Sequence, residues 1–179
     1  MILYVVRHGQ TNINLEDKIN SLNDDDLNQT GVKQAIELRN YFAKIDYDLI
    51  ISSPLTRTSH TSKLLNIKNR NIIYDKRLLE RDAGIFTKKE IKLLDKNDWW
   101  NVYPLNNYKN AEPVKNVIKR VYLFLDEIKE KYSDKSIILV THGGISKVIS
   151  CYFYGIPSDG NLECYSLNNC EIKKIELIK

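Results

Sequence analysis

Three short stretches of the chain are apolar without alternation: Ile2-Leu3-Tyr4-Val5-Val6, Leu49-Ile50-Ile51 and Ile137-Ile138-Leu139-Val140. A strand with one wet face alternates apolar and polar residues, so unbroken runs of this length predict strands buried on both faces of a parallel sheet. Each run gives way to small or polar residues and then to a helical pattern. Apolar spacing predicts a helix over residues 30–44, with Val32, Ala35, Ile36, Leu38 and Phe42 turned inward. After the second run, Ser53 is placed to cap a helix whose first residue is Pro54. Beyond Glu112, the order Pro113, Val114, Val117, Ile118, Val121, Leu125, Ile128 gives a long amphipathic helix, and Ile145, Val148, Ile149 and Tyr152 give another. Residues 163–178 read as two short strands around Asn168-Asn169, a hairpin. Strands alternating with helices define an α/β domain with a mainly parallel sheet.

Composition narrows the class. The 179 residues suit one domain, with no repeat, linker or low-complexity tract, and 42% hydrophobic with 28% charged residues excludes a mainly disordered chain. No apolar stretch approaches the ~20 residues of a bilayer span. The net charge of +4 is scattered lysine rather than a stripe, so neither nucleic acid nor membrane is an expected partner. Cys151, Cys164 and Cys170 form no Cys-x-x-Cys pair and leave an odd thiol, which argues against a disulfide framework or thiolate metal site. With an N-terminal apolar run too short for a signal-peptide core, the expected location is cytoplasmic.

Ligands of open parallel sheets bind beyond the carboxyl ends of the strands. Arg7-His8-Gly9, Ser52-Ser53-Pro54 with Arg57, and Thr141-His142-Gly143-Gly144 should therefore meet at one crevice, bringing together two of three histidines and two of seven arginines. Paired guanidiniums fit phosphate oxygens, and glycines at a helix start allow close backbone approach. A neutral imidazole there is a nucleophile for phosphorus.

The segment from Arg7 to Asn14, Arg-His-Gly-Gln-Thr-Asn-Ile-Asn, fits the Arg-His-Gly-x-Thr-x-x-Asn signature of the histidine phosphatase superfamily, the phosphoglycerate mutase-like proteins. The resemblance continues in order. Leu27 to Ala35 resembles the family's Leu-x-x-x-Gly-x-x-Gln-Ala stretch. Ser53-Pro54-Leu55-Thr56-Arg57 with Thr61 resembles its Ser-Pro-Leu-x-Arg-Ala-x-x-Thr helix start. Leu78 to Gly84 resembles its Leu-x-Glu-x-x-x-Gly loop, Glu112 with Val117 and Arg120-Val121 falls at its Gly-Glu-Ser helix, and Thr141 to Gly144 is its second histidine motif. The resemblance implies a three-layer α/β/α sandwich and phosphomonoester hydrolysis. His8 would be the phosphorylated nucleophile, Arg7, Arg57 and His142 would surround the phosphoryl group, and Glu80 would be the proton donor. Asn14 and Gly143 would add phosphate hydrogen bonds. It implies no metal and no cofactor.

Departures lie in flanking loops: Asp26 replaces a common Pro, Ala111 and Pro113 flank Glu112, and Phe86-Thr87-Lys88 replaces Trp-Glu-Gly. They bear on substrate recognition. The expected partner is a small phosphorylated metabolite, with a phosphoprotein still open and the oligomeric state unreadable. Phosphoglycerate mutase-type transfer is the enzymatic rival. Family mutases are typically longer, and here only residues 85–111 are available as a cap or lid, which favours hydrolysis. A non-catalytic phosphate-binding module is the third reading. Glu112 and Asp82 compete with Glu80 as the acid. His60 is expected on a solvated helix face, and Asp24 to Asp26 as a solvated acidic loop. Arg81 is either a substrate contact or an exposed charge. Trp99, Trp100 and Tyr103 either line the crevice entrance or pack a cap.

Overall fold

The computed structural model describes residues 1–177. In chain order it contains β1 (Ile2–Arg7), α1 (Asn12–Leu15), α2 (Gln29–Ala43), β2 (Leu49–Ser52), α3 (Thr56–Leu65), β3 (Ile72–Tyr74), α4 (Lys96–Trp99), α5 (Val114–Lys131), β4 (Ser136–Thr141), α6 (Gly143–Tyr154) and β5 (Ile172–Glu176). Short 3-10 turns occupy Lys76–Leu78, Gly84–Phe86, Ile91–Leu93 and Leu162–Tyr165. The five strands form one sheet in the order β3-β2-β4-β1-β5, parallel except for β5, which runs antiparallel along β1.

The three unalternating runs became β1, β2 and β4, and alternate residues within each feed opposite cores. Leu3, Val5, Leu49, Ile51, Ile137 and Leu139 face the layer of α5 and α6, meeting Val121, Phe124 and Val148. Tyr4, Val6, Ile50, Ile138 and Val140 face the other layer, meeting Leu38 and Phe42 of α2 and Leu65 of α3. Both strand faces are covered by helices, which is why no polar alternation appears.

Several expectations need correction. The helix after β2 begins at Thr56, its N-cap is Leu55, and Ser53 does not cap it. Asp24 does so from a distant loop, Oδ1 accepting from Thr56 N at 2.6 Å and Oδ2 from Thr56 Oγ1 at 3.0 Å. Ile36 faces outward, because α2 presents Ala35, Leu38 and Phe42 to the sheet and leaves position 36 off that stripe. The tail is not a hairpin. Leu162–Tyr165 forms a 3-10 turn, and the single strand β5 pairs with β1, whose free edge satisfies more backbone than a two-strand ribbon could. Ile178 of that predicted hairpin lies outside the described residues. β3, with only three residues, carried too little pattern to be read.

Candidate active site

Parallel register builds the site. Arg7 pairs with Thr141 at the end of the β1–β4 ladder, and His8 N donates to Thr141 O at 2.9 Å. The next residues, His8 and His142, therefore stand side by side, their ring centroids 5.3 Å apart. The Leu27-to-Ala35 motif holds this turn from one side. A Cβ on Gly9 would lie 2.5 Å from Gly31 O, so the two backbones touch only because both positions lack side chains. Gln34 Oε1 accepts from Gln10 N at 2.9 Å, and Asn28 Nδ2 donates to Gln10 Oε1 at 3.0 Å. From α3, Thr61 Oγ1 accepts from Gly9 N at 3.1 Å and donates to Arg57 O at 2.7 Å.

Arg7, His8, Asn14, Arg57, Glu80 and Gly143 all line one cavity of about 320 Å³ at the carboxyl edge of the sheet. This is near the lower end of the size of small-molecule sites. His8 is buried, and its Nδ1 lies 2.7 Å from Gly9 O, which fixes the proton on Nδ1 and leaves the Nε2 lone pair free. Burial, reinforced by Arg57 and Arg7, holds His8 well below the usual imidazole range, so the ring is neutral at neutral pH. Arg57 is fully buried, its terminal nitrogens donating to Asn23 O at 2.6 Å and Ser21 O at 2.9 Å. Burial lowers it to about 10, so it remains charged at neutral pH. Arg7 donates to Leu167 O at 2.8 Å. The Nε atoms of Arg7 and Arg57 and Nδ1 of His142 are buried without a hydrogen-bond partner among the described residues, donors suited to an anion.

His142 stands beside His8, fully buried, with its Nε2 2.8 Å from Ser53 Oγ. Burial, then Arg57 and His8, holds it too well below the usual range. Gly143 leaves room for Arg7, whose guanidinium carbon lies 3.3 Å from where a Cβ would stand. Asn14 also has a structural task, since its Oδ1 accepts from Thr11 N in a capping box at the start of α1.

The competing carboxylates separate by their contacts. Glu112 is held by Arg120 at 2.9 and 3.0 Å, and the same arginine donates to Arg77 O and Glu80 O, fixing the loop that carries Glu80. Asp82 accepts from Gly84 N at 2.8 Å within its own turn. Glu80 alone of the three faces the cavity, Oε1 accepting from Arg81 N at 2.8 Å and Oε2 from Gly144 N at 3.1 Å. Arg81 is not an exposed charge. It is buried, its plane 4.0 Å over Trp99, and it donates to Glu112 O at 2.7 Å and to Trp99 O. Trp99 and Trp100 are both buried and cavity-lining, whereas Tyr103 is exposed. His60 sits on α3 with Nδ1 2.8 Å from Asp26 Oδ1.

Two residues at the site carried no functional reading in the sequence. Asn169 Nδ2 donates to His8 O at 2.9 Å and to Asn14 Oδ1 at 3.3 Å, while the following Cys170 N donates to Arg7 O at 2.9 Å. Lys147, buried in the cavity wall, pairs with Glu163. A lysine within the otherwise small and apolar stretch of α6 was the signal for it.

A crevice at the end of a mainly parallel sheet, holding a neutral imidazole between the half-buried Arg7 and the buried Arg57, is suited to phosphate esters. The family model described as "Histidine phosphatase superfamily (branch 1)" matches residues 3–179, and the chain belongs to that family, an enzyme of the phosphatase class. It is 30% identical over 173 residues to the "Uncharacterized phosphatase PhoE" of Bacillus subtilis, covering 96% of this chain and 86% of that one. It is 28% identical over 181 residues to the "Probable phosphoglycerate mutase GpmB" of Salmonella choleraesuis, covering 97% and 84%. The crystal structure of the α-ribazole phosphatase from Shigella flexneri superposes with a TM-score of 0.85 at 22% identity, covering 100% of this chain and 92% of that one. Among the described residues no helix is long and apolar enough to cross a membrane.

Proposed function

We propose that the protein hydrolyses phosphomonoesters of small metabolites through a phosphohistidine on His8. The observation that carries this reading is the buried, neutral His8, its Nδ1 tied to Gly9 O and its free Nε2 set at the cavity floor with Arg7 and Arg57. Nε2 attacks phosphorus, the bond to the leaving oxygen breaks, and Glu80 delivers a proton to that oxygen. Charge on the transferring oxygens is balanced by Arg7 and Arg57, with Asn14 and the backbone at Gly143 adding hydrogen bonds. His142 acts from beside His8, its unpartnered Nδ1 donating toward the phosphoryl group while Nε2 accepts from Ser53. Water then attacks the phosphohistidine, Glu80 takes its proton, and orthophosphate leaves with His8 neutral again. Residues 85–111 act as the cap that selects the leaving group.

Mutase-type transfer is a second reading, favoured by the GpmB relative and by Arg81 lining the cavity directly after Glu80. It is tested by following phosphate release and 3- to 2-phosphoglycerate conversion together. Strong conversion with negligible release would replace hydrolysis. The phosphohistidine is tested by quenching turnover of a radiolabelled ester. Label on His8 should be acid-labile and alkali-stable, and His8→Ala should lose both the label and hydrolysis by at least about 10⁴-fold. A variant as fast as wild type would falsify the mechanism.

A further inference from the structure

We infer that the preferred leaving group is uncharged and presents a flat apolar face, as in aryl and arylmethyl phosphates, rather than being a short carboxylic acid. This rests on the hydrolytic reading, because the direction of the leaving group follows from phosphorus at the floor and the ester oxygen at Glu80. The first surface met beyond Glu80 is Trp100. Its benzo edge and Glu80 Oε1 converge on one point, 2.0 and 2.5 Å from where a Cβ of Gly144 would stand. Beyond it the wall continues through Leu94, Ile91 and Ile19. Ile91, 38% exposed, is an apolar side chain left uncovered at the cavity by its own chain.

Three of the four cations of this outer wall are already occupied. Lys147 is paired with Glu163 and lies 5.2 Å from the Trp100 ring centroid. Arg81 has two of its three nitrogens on backbone carbonyls and its face on Trp99. Lys18, paired with Glu16, and Lys96 stand near solvent, where salt screens them. A substrate carboxylate there would have to displace Glu163 or break Arg81 from the backbone, leaving buried groups unpaired. The floor differs: Arg7 and Arg57 keep buried Nε donors and make no ion pair among the described residues. The site thus holds one built anion receptor, at the floor, and an apolar wall beyond it.

The test compares kcat/KM for benzyl phosphate, glycerol 3-phosphate and 3-phosphoglycerate, all esters of poor leaving alcohols. Benzyl phosphate should lead both by at least about tenfold. In Ile91→Asn the benzyl-to-glycerol ratio should fall by roughly threefold or more, while Ile91→Leu keeps it. Binding gives a readout free of turnover. Calorimetry should find benzylphosphonate tighter than phosphonoacetate by about tenfold. Equal or better use of 3-phosphoglycerate, a ratio indifferent to Ile91→Asn, or equal or absent binding of the two phosphonates overturns the inference. If wild type hydrolyses none of the esters yet binds benzylphosphonate preferentially, the hydrolytic reading fails and the assignment of the wall stands.

Discussion

The floor of the cavity and its outer wall are held by different forces. Nearly every polar contact of the floor ends on backbone: Arg7 on Leu167 O, Arg57 on Ser21 O and Asn23 O, His8 on Gly9 O, and Glu80 on the N–H groups of Arg81 and Gly144. The outer wall, from the turn at Gly84–Phe86 through α4, adds an aromatic cluster to its main-chain bonds. Phe86, Trp99 and Tyr108 pack edge to face with centroids 4.8 to 5.9 Å apart, and Arg81 stacks on Trp99. Asp98, buried, binds Leu105 N at 2.6 Å and Asn106 N at 2.9 Å. Reacting groups must be placed to within about 0.5 Å, which strand ends and main-chain bonds achieve. A wall that only shapes the leaving group tolerates loops. On the proposed reading, chemistry and substrate choice are therefore separable in this molecule.

The strongest way to break that separation is Glu80→Gln. Hydrolysis of alkyl phosphates, which require protonation of the leaving oxygen, should fall by roughly 10²- to 10⁴-fold, with p-nitrophenyl phosphate much less affected. Equal losses on both would remove Glu80 as the acid. Next comes pH. Burial first, then neighbouring charge, holds His8 and His142 neutral in the fold, so protons bind the unfolded chain in preference. Stability is then fully present above the ordinary value of about 6.5 and lost as pH falls below it, by about 1.4 kcal/mol per pH unit for each ring. Urea midpoints between pH 8 and 5 should fall accordingly, and His142→Asn should flatten the slope. A midpoint that rises on acidification contradicts the buried neutral pair. On the outer wall, Asp98→Ala should cost about 2 kcal/mol by freeing the amides of Leu105 and Asn106, measured in urea at pH 7. Label on His8 should persist in that variant, and its loss would mean that floor and wall are not independent.

The same contrast explains what could be read from the chain alone. β1, β2 and β4 were legible because burial on both faces removes polar residues from a strand, and the site followed because parallel strands end at one edge. The histidine and arginine motifs are local in sequence, so each strand end announces its own chemistry. Contacts across long separations announced nothing. Asp24 caps a helix 32 residues away, displacing the Ser53-Pro54 start that local rules favoured, and Ser53 went instead to His142. Residues 85–111 have no sustained period, because an aromatic cluster rather than a helix face orders them. The tail was misread for a related reason. Asn168-Asn169 does mark a turn, but its strand partner is β1, more than 160 residues earlier.

That turn supplies the smallest and most discriminating effect. Among the described residues, Asn169 is the one side chain that reaches the backbone of the proposed nucleophile from the far end of the chain, donating to His8 O and Asn14 Oδ1. It touches no reacting atom, so its work is to position. Removing a single partly buried amide should cost about 1 kcal/mol of stability. If His8 is aligned by strand register alone, Asn169→Ala should lower stability and leave turnover untouched. If the turn also sets the ring, kcat should fall by about five- to tenfold with KM nearly constant, since the substrate's own contacts stay in place. The expected result is the second, with slower label transfer to His8 in rapid-quench experiments at unchanged KM. A KM rise with kcat intact would instead place Asn169 in substrate binding through Asn14.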